Sequence, residues 1–92
     1  MIISFSCRET KKLFERQRIK RFQSFERVAL RKLHYLDNAI SLDDLKSPPG
    51  NRLEALSGDR NGQFSIRINN KWRVCFYWDN GNAYQVEIAD YH

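Results

Sequence analysis

The sequence predicts a two-layer α+β domain, with an N-terminal strand and two helices packed on one face of an antiparallel sheet. Three observations lead there. Apolar residues recur at spacings of three and four as far as Ile40, the repeat shortens to two after Pro48 and Pro49, and turn residues cut the second half into strand-length pieces. Each half then has an apolar face, and stacking the helices on the sheet buries both.

Taken in order, Ile2, Ile3 and Phe5 form a short β-prone stretch. Ser6 and Glu9 have the spacing of a capping box, so a first helix is expected from about Cys7 to Arg16, with Leu13 and Phe14 inward. A basic connector follows to Arg21. Phe22, Phe25, Ala29, Leu33, Leu36 and Ile40 then lay one stripe along a long helix whose opposite face carries Glu26, Arg27, Arg31 and Lys32. Ser41 to Asp44 reads as a further helical N-terminus, and Pro48 with Pro49 stops helix formation by removing amide donors.

The strand half begins with Arg52 to Leu56 and a turn over Ser57 to Gly62. Phe64, Ile66 and Ile68 alternate with polar residues, and Asn69-Asn70 is expected to supply positive φ for a tight hairpin. In the next strand Trp72, Val74, Phe76 and Trp78 share the apolar face, opposite Arg73, Cys75 and Tyr77. After a turn at Asp79 to Asn82, the last strand puts Tyr84, Val86 and Ile88 inward, with Gln85, Glu87, Ala89 and Tyr91 outward.

The chain has 92 residues, 41% hydrophobic and 13% aromatic, enough apolar mass for one core. With no linker, repeat or low-complexity tract, residues 1–92 are expected to form one domain. The 29% charged residues point to a soluble, cytoplasmic protein, and the N-terminus lacks an apolar run suited to a signal peptide or a membrane span. Sixteen Lys and Arg against eleven Asp and Glu give a net charge of +5, which favours an anionic partner such as nucleic acid or an acidic protein.

Cys7 and Cys75 make neither a disulfide framework nor a CxxC site and are expected to be buried small hydrophobes. Together with His34 and His92 they match no metal-ligand spacing, so no metal or cofactor is expected. His34, near the apolar stripe, is read as structural. Strand parity places Arg67, Arg73 and Tyr91 on one polar face, where two guanidinium groups and a phenol can hold a phosphate and stack or protonate a nucleotide. A histidine, the residue type at His92, ordinarily titrates near neutrality, as a general acid or base must, and Asp90 can orient an imidazole.

Asn51 to Arg60, with the pattern L-x-G-D-R at Leu56 to Arg60, is followed by Phe64 to Ile68, by W-R-x-x-F at Trp72 to Phe76, and by Asp90, Tyr91 and His92. As an ensemble over essentially the whole chain these residues resemble HigB toxins of the RelE/ParE superfamily. The resemblance implies a compact, RelE-like, microbial-RNase-like fold and a ribosome-dependent endoribonuclease that cleaves mRNA in the ribosomal A site. It implies phosphate binding at Arg73 and a cleavage site at Asp90, Tyr91 and His92; the basic residues Arg60, Arg67 and Lys71 are expected to bind RNA. The chemistry so implied is metal-independent attack of a ribose 2′-OH on the adjacent phosphate.

One position departs from the pattern. Several members carry a catalytic lysine before the glycine matching Gly58, and here Ser57 stands there. That leaves Arg60, Arg67 or Lys71 to substitute, or a comparatively weak toxin, and serine is similar to the mild HigB subset. The resemblance further implies a HigA-like helix-turn-helix antitoxin that contacts operator DNA, with the 70S ribosome and mRNA as the other partners. Two alternatives stay open: a ParE-like gyrase inhibitor, and a non-catalytic RNA- or ribosome-binding module.

Overall fold

A computed structural model describes residues 1–90. Its helices are α1 (Arg8–Phe14) and α2 (Glu26–Asn38), and its sheet comprises β1 (Glu54–Ala55), β2 (Phe64–Arg67), β3 (Trp72–Asp79) and β4 (Asn82–Asp90). All neighbouring strands run antiparallel in the order β1-β2-β3-β4. The N-terminal segment adds two isolated parallel bridges, Ile2 to Ala83 and Phe5 to Val86, along the far edge of β4. Leu13, Phe22, Ala29, Leu33 and Leu36 from the helical layer meet Ile66, Val74, Phe76, Val86 and Ile88 from the sheet in one core. Among the described residues no helix is long and apolar enough to cross a membrane.

The helical half differs from its sequence reading at four points. Cys7 is the N-cap of α1, and the Ser6 hydroxyl donates instead to the Gln85 carbonyl at 3.0 Å, while Glu9 accepts from Arg21 at 2.6 Å. The two partners of the expected capping box are therefore spent on tertiary contacts. The long stripe is divided: Lys20–Phe25 is a 3₁₀ helix, and α2 begins only at Glu26. Ile40 lies outside α2 and is 83% exposed, because its amide donates to the Asp44 carboxylate and joins the next element. Lys32, expected on the solvated face, is buried.

The capping box at Ser41 does form. The Asp44 carboxylate accepts from the Ile40 and Ser41 amides at 2.9 and 3.1 Å, and these bonds hold its pKa below the usual carboxylate range. Beyond it, the chain makes the 3₁₀ turn Pro49–Asn51 and places Arg52 in the left-handed region at φ 45°. The strand expected over Arg52 to Leu56 shrinks accordingly to Glu54–Ala55.

In the sheet, the positive-φ hairpin falls at Asn80 and Gly81, with φ 49° and 81°, rather than at Asn69-Asn70. Asn69 turns the chain through its side chain, whose Oδ1 accepts from the Lys71 and Trp72 amides, each at 2.8 Å. A bulge also interrupts the β3–β4 ladder, where Cys75 pairs with Glu87 but Tyr77 pairs with Tyr84. The extra residue reverses parity, with Gln85 at φ 52°. Ala83 therefore faces the core and Tyr84 stands outward opposite Tyr77, the reverse of the expected alternation.

Candidate functional site, a basic cleft at one end of the sheet

The sheet face away from the helices is not open throughout. Leu56, Cys75 and Ala89 form a second, small buried cluster on it. Burial pushes the Cys75 thiol up to about 11; Arg60 and Arg73 oppose that shift and Glu87 reinforces it. Cys75 is thus an inert buried thiol, as expected. Cys7 is only half-buried. His34 packs against Phe14 with ring centroids 5.5 Å apart and planes tilted by 43°, in keeping with its structural reading.

Arg67 and Arg73 are cross-strand partners on this outer face. Like charges placed directly opposite one another repel, so a sheet tolerates the pair only where other contacts or an anion offset the cost. Arg67 turns aside and donates to the Asn70 amide oxygen. Arg73 turns the other way. Its Nε donates to the Ser65 hydroxyl at 2.7 Å and one terminal nitrogen to the Arg52 carbonyl at 2.8 Å, with Glu54 more distant at 3.6 Å. The Arg73 side chain is 15% exposed, against 53% for Glu54.

These residues surround an open cleft of about 370 Å³, lined by Arg52, Arg67, Lys71 and Arg73, by Glu54 and by the Asn69-Asn70 turn. Among the described residues four cations line it against one carboxylate, a balance that favours an anion. Lys71 extends it toward the end of β4, where its ammonium lies 3.7 Å from the Asp90 carboxylate. Asp90 pairs with Trp72 in the ladder, so its backbone follows the inward parity while its side chain reaches the cleft rim through Lys71.

Of the residues singled out in the sequence, Arg67, Lys71 and Arg73 are brought together, with Asp90 beside them. Arg60 is not among them: it lines the adjoining Glu54 to Asp59 loop and donates to Glu87 at 2.8 Å and Gln63 at 3.2 Å. Tyr91 and His92 lie outside the described residues. Sequence reasoning missed Arg52, Glu54 and Ser65 as site residues. Ser65 was within reach, since parity puts it on the face of Arg67, two residues away. The Arg52 carbonyl was not, because its role depends on a left-handed backbone.

The sequence profile of HigB-like toxins, described as the RelE-like toxin of type II toxin–antitoxin system HigB, matches residues 4–92. The chain belongs to this HigB family. Endoribonuclease HigB of Proteus vulgaris is 35% identical in an alignment that covers 100% of both proteins. Toxin HigB-1 of Vibrio cholerae is 47% identical over 60 residues, 65% of this chain and 63% of that toxin. The fold is shared more widely. A chain of the YoeB–YefM complex from Staphylococcus aureus superposes with a TM-score of 0.62 at 17% identity, covering 100% of this chain and 98% of its own. A YafQ mutant from E. coli gives 0.61 at 14% identity, covering 98% and 91%. Membership in a type II toxin–antitoxin family brings with it an antitoxin partner for this HigB-type chain.

Proposed function

We propose that this HigB-type endoribonuclease cuts translated mRNA in the ribosomal A site and that the scissile phosphate binds in the basic cleft against Arg73. The observation that carries the reading is the Arg67–Arg73 cross-strand pair, two of the four cations that line the cleft: a bound phosphate attracts both and offsets their mutual repulsion. In the transition state of 2′-OH attack, negative charge grows on the non-bridging oxygens, and a guanidinium already held in place stabilises it without rearranging.

The remaining roles follow from chemistry. Asp90 or His92 accepts the 2′-OH proton, and Tyr91 stacks on a base or donates a proton to the leaving oxygen. Asp90 starts beside Lys71, whose ammonium lies 3.7 Å from its carboxylate at the rim of the cleft. Ser57 leaves the position of the family lysine without a cation, and Lys71 and Arg67 supply that charge from the cleft. Arg60 stands outside the phosphate site, its guanidinium engaged by Glu87 at 2.8 Å. A HigA-like antitoxin in the cytoplasm restrains the toxin and carries any contact with operator DNA.

Expressing the wild type, Arg73→Ala and His92→Ala in bacteria and mapping mRNA 5′ ends tests this reading. The wild type should arrest growth with new ends inside open reading frames, and both variants should lose the ends and the toxicity together. Arrest without such ends, or with loss of DNA supercoiling, would replace the nuclease with a ribosome-binding or gyrase-directed poison.

A further inference from the structure

Behind the cleft lies a charged side chain that the proposed chemistry leaves unused. Lys32, in α2, is only 6% exposed, and its ammonium donates to Asn51 Oδ1 at 2.5 Å, with the Tyr35 ring 5.6 Å away. Burying a lysine is unfavourable without a dedicated partner. Burial pulls its pKa down, as do Arg31 and Arg67, so the amine lies within electrostatic reach of the cleft wall.

Asn51 is itself fully buried and uses both ends of its amide. It accepts from Lys32 and donates to the Leu45 and Ser47 carbonyls at 3.2 and 3.3 Å. It thereby ties α2 to the segment that follows the prolines. The next residue, Arg52, has φ 45°, a region that side chains rarely occupy unless the surroundings impose it. In that conformation its carbonyl accepts from Arg73 at 2.8 Å.

We propose that Lys32 and Asn51 are positioning residues that hold the Arg52 carbonyl, and through it the Arg73 guanidinium, where the scissile phosphate of RNA binds. The functional half of this rests on the phosphate reading of the cleft. With Asn51 fixed, the left-handed turn at Arg52 is fixed, and Arg73 is oriented by two neutral acceptors at once, Ser65 and Arg52. Without Asn51 the turn relaxes toward an ordinary conformation, and Arg73 keeps only one of those two bonds. A pair that merely satisfied its own buried polar atoms would affect stability and leave Arg73 alone.

The test is a mutant cycle on translating ribosomes, with thermal melts run in parallel. Asn51→Ala should lower kcat about 10- to 100-fold with KM within about 3-fold, the scale expected for a misplaced catalytic group. Added to Arg73→Ala, it should cause no further loss. Lys32→Met, which keeps an apolar chain in place of the amine, should act in the same direction and serves if Asn51→Ala does not fold. In the free protein, the Arg73 Nε–H resonance should shift in both single variants and stay put in Arg60→Ala.

Losses that multiply with Arg73→Ala, together with an unmoved Nε–H resonance, would reduce the pair to a packing role and overturn the proposal. Should Arg73→Ala cleave like the wild type, the phosphate reading falls. The resonance alone then decides whether Lys32 and Asn51 orient that guanidinium.

Discussion

Arg60, from the 3₁₀ turn before β2, and Arg73, from β3, both act electrostatically on the buried Cys75 thiol. Their settings differ in kind. Arg60 meets a carboxylate at 2.8 Å, with both partners about a quarter exposed, so much of its charge is answered within the fold. Arg73 is gripped at 2.7 and 2.8 Å by a hydroxyl and a carbonyl, and the Glu54 carboxylate stands off at 3.6 Å. Neutral acceptors fix the direction of a guanidinium without cancelling its charge. Arg60 is built as a strut between the outer loop and β4, and Arg73 as an oriented cation facing the proposed phosphate site.

The largest expected effect comes from removing the oriented cation. Arg73→Ala should cut mRNA cleavage on ribosomes by about 10²- to 10³-fold, the usual cost of deleting one donor to a developing oxyanion. Arg73→Lys should recover little of it, since an ammonium cannot make the forked contacts to Ser65 and Arg52 together. Arg60→Ala should lower cleavage by less than about 10-fold and stability by about 1 kcal/mol or less, the range of a partly exposed ion pair. If the two alanine variants lost activity equally, the distinction between strut and anchor would collapse.

Two smaller effects sharpen the contrast. Glu54→Gln removes the carboxylate near Arg73 and should tighten toxin binding to programmed ribosomes by about 3-fold, an exposed-pair effect that fades with added salt. Glu87→Gln should instead lower the melting temperature and leave that affinity unchanged. Cys75, on whose thiol both arginines act, should resist a thiol reagent at neutral pH while Cys7 reacts. Because its folded pKa is raised to about 11, the folded state holds its proton longer than the unfolded chain does. This contribution to stability is complete below the unfolded thiol's pKa and is lost as pH climbs through about 11. Denaturant melts across alkaline pH read it directly, and a Cys75→Ala variant should lack that component.

The same contrast shows what one chain discloses. Helix and strand periods predicted the two layers, and parity put Arg67 and Arg73 side by side, because both rest on repeats of residue type. Parity failed at Tyr84, where one extra residue at Gln85 reverses the face of everything between it and the turn. The helical stripe likewise assigned Lys32 to solvent by its type, although it is buried against Asn51, a partner from a different element. The grip on Arg73 was illegible for a related reason. One acceptor is a backbone carbonyl, set by a left-handed turn that no residue type announces at Arg52.

The most direct measure of the anchor is the salt dependence of toxin binding to ribosomes carrying an mRNA with a 2′-O-methyl group at the cleavage position. Each phosphate contact contributes about 0.7 to the slope of log affinity against log salt on a single strand. The account predicts that Arg73→Ala lowers the slope by about that amount and that Arg60→Ala leaves it within about 0.2 of the wild type. An unchanged slope in Arg73→Ala, or an equal drop in Arg60→Ala, would contradict it.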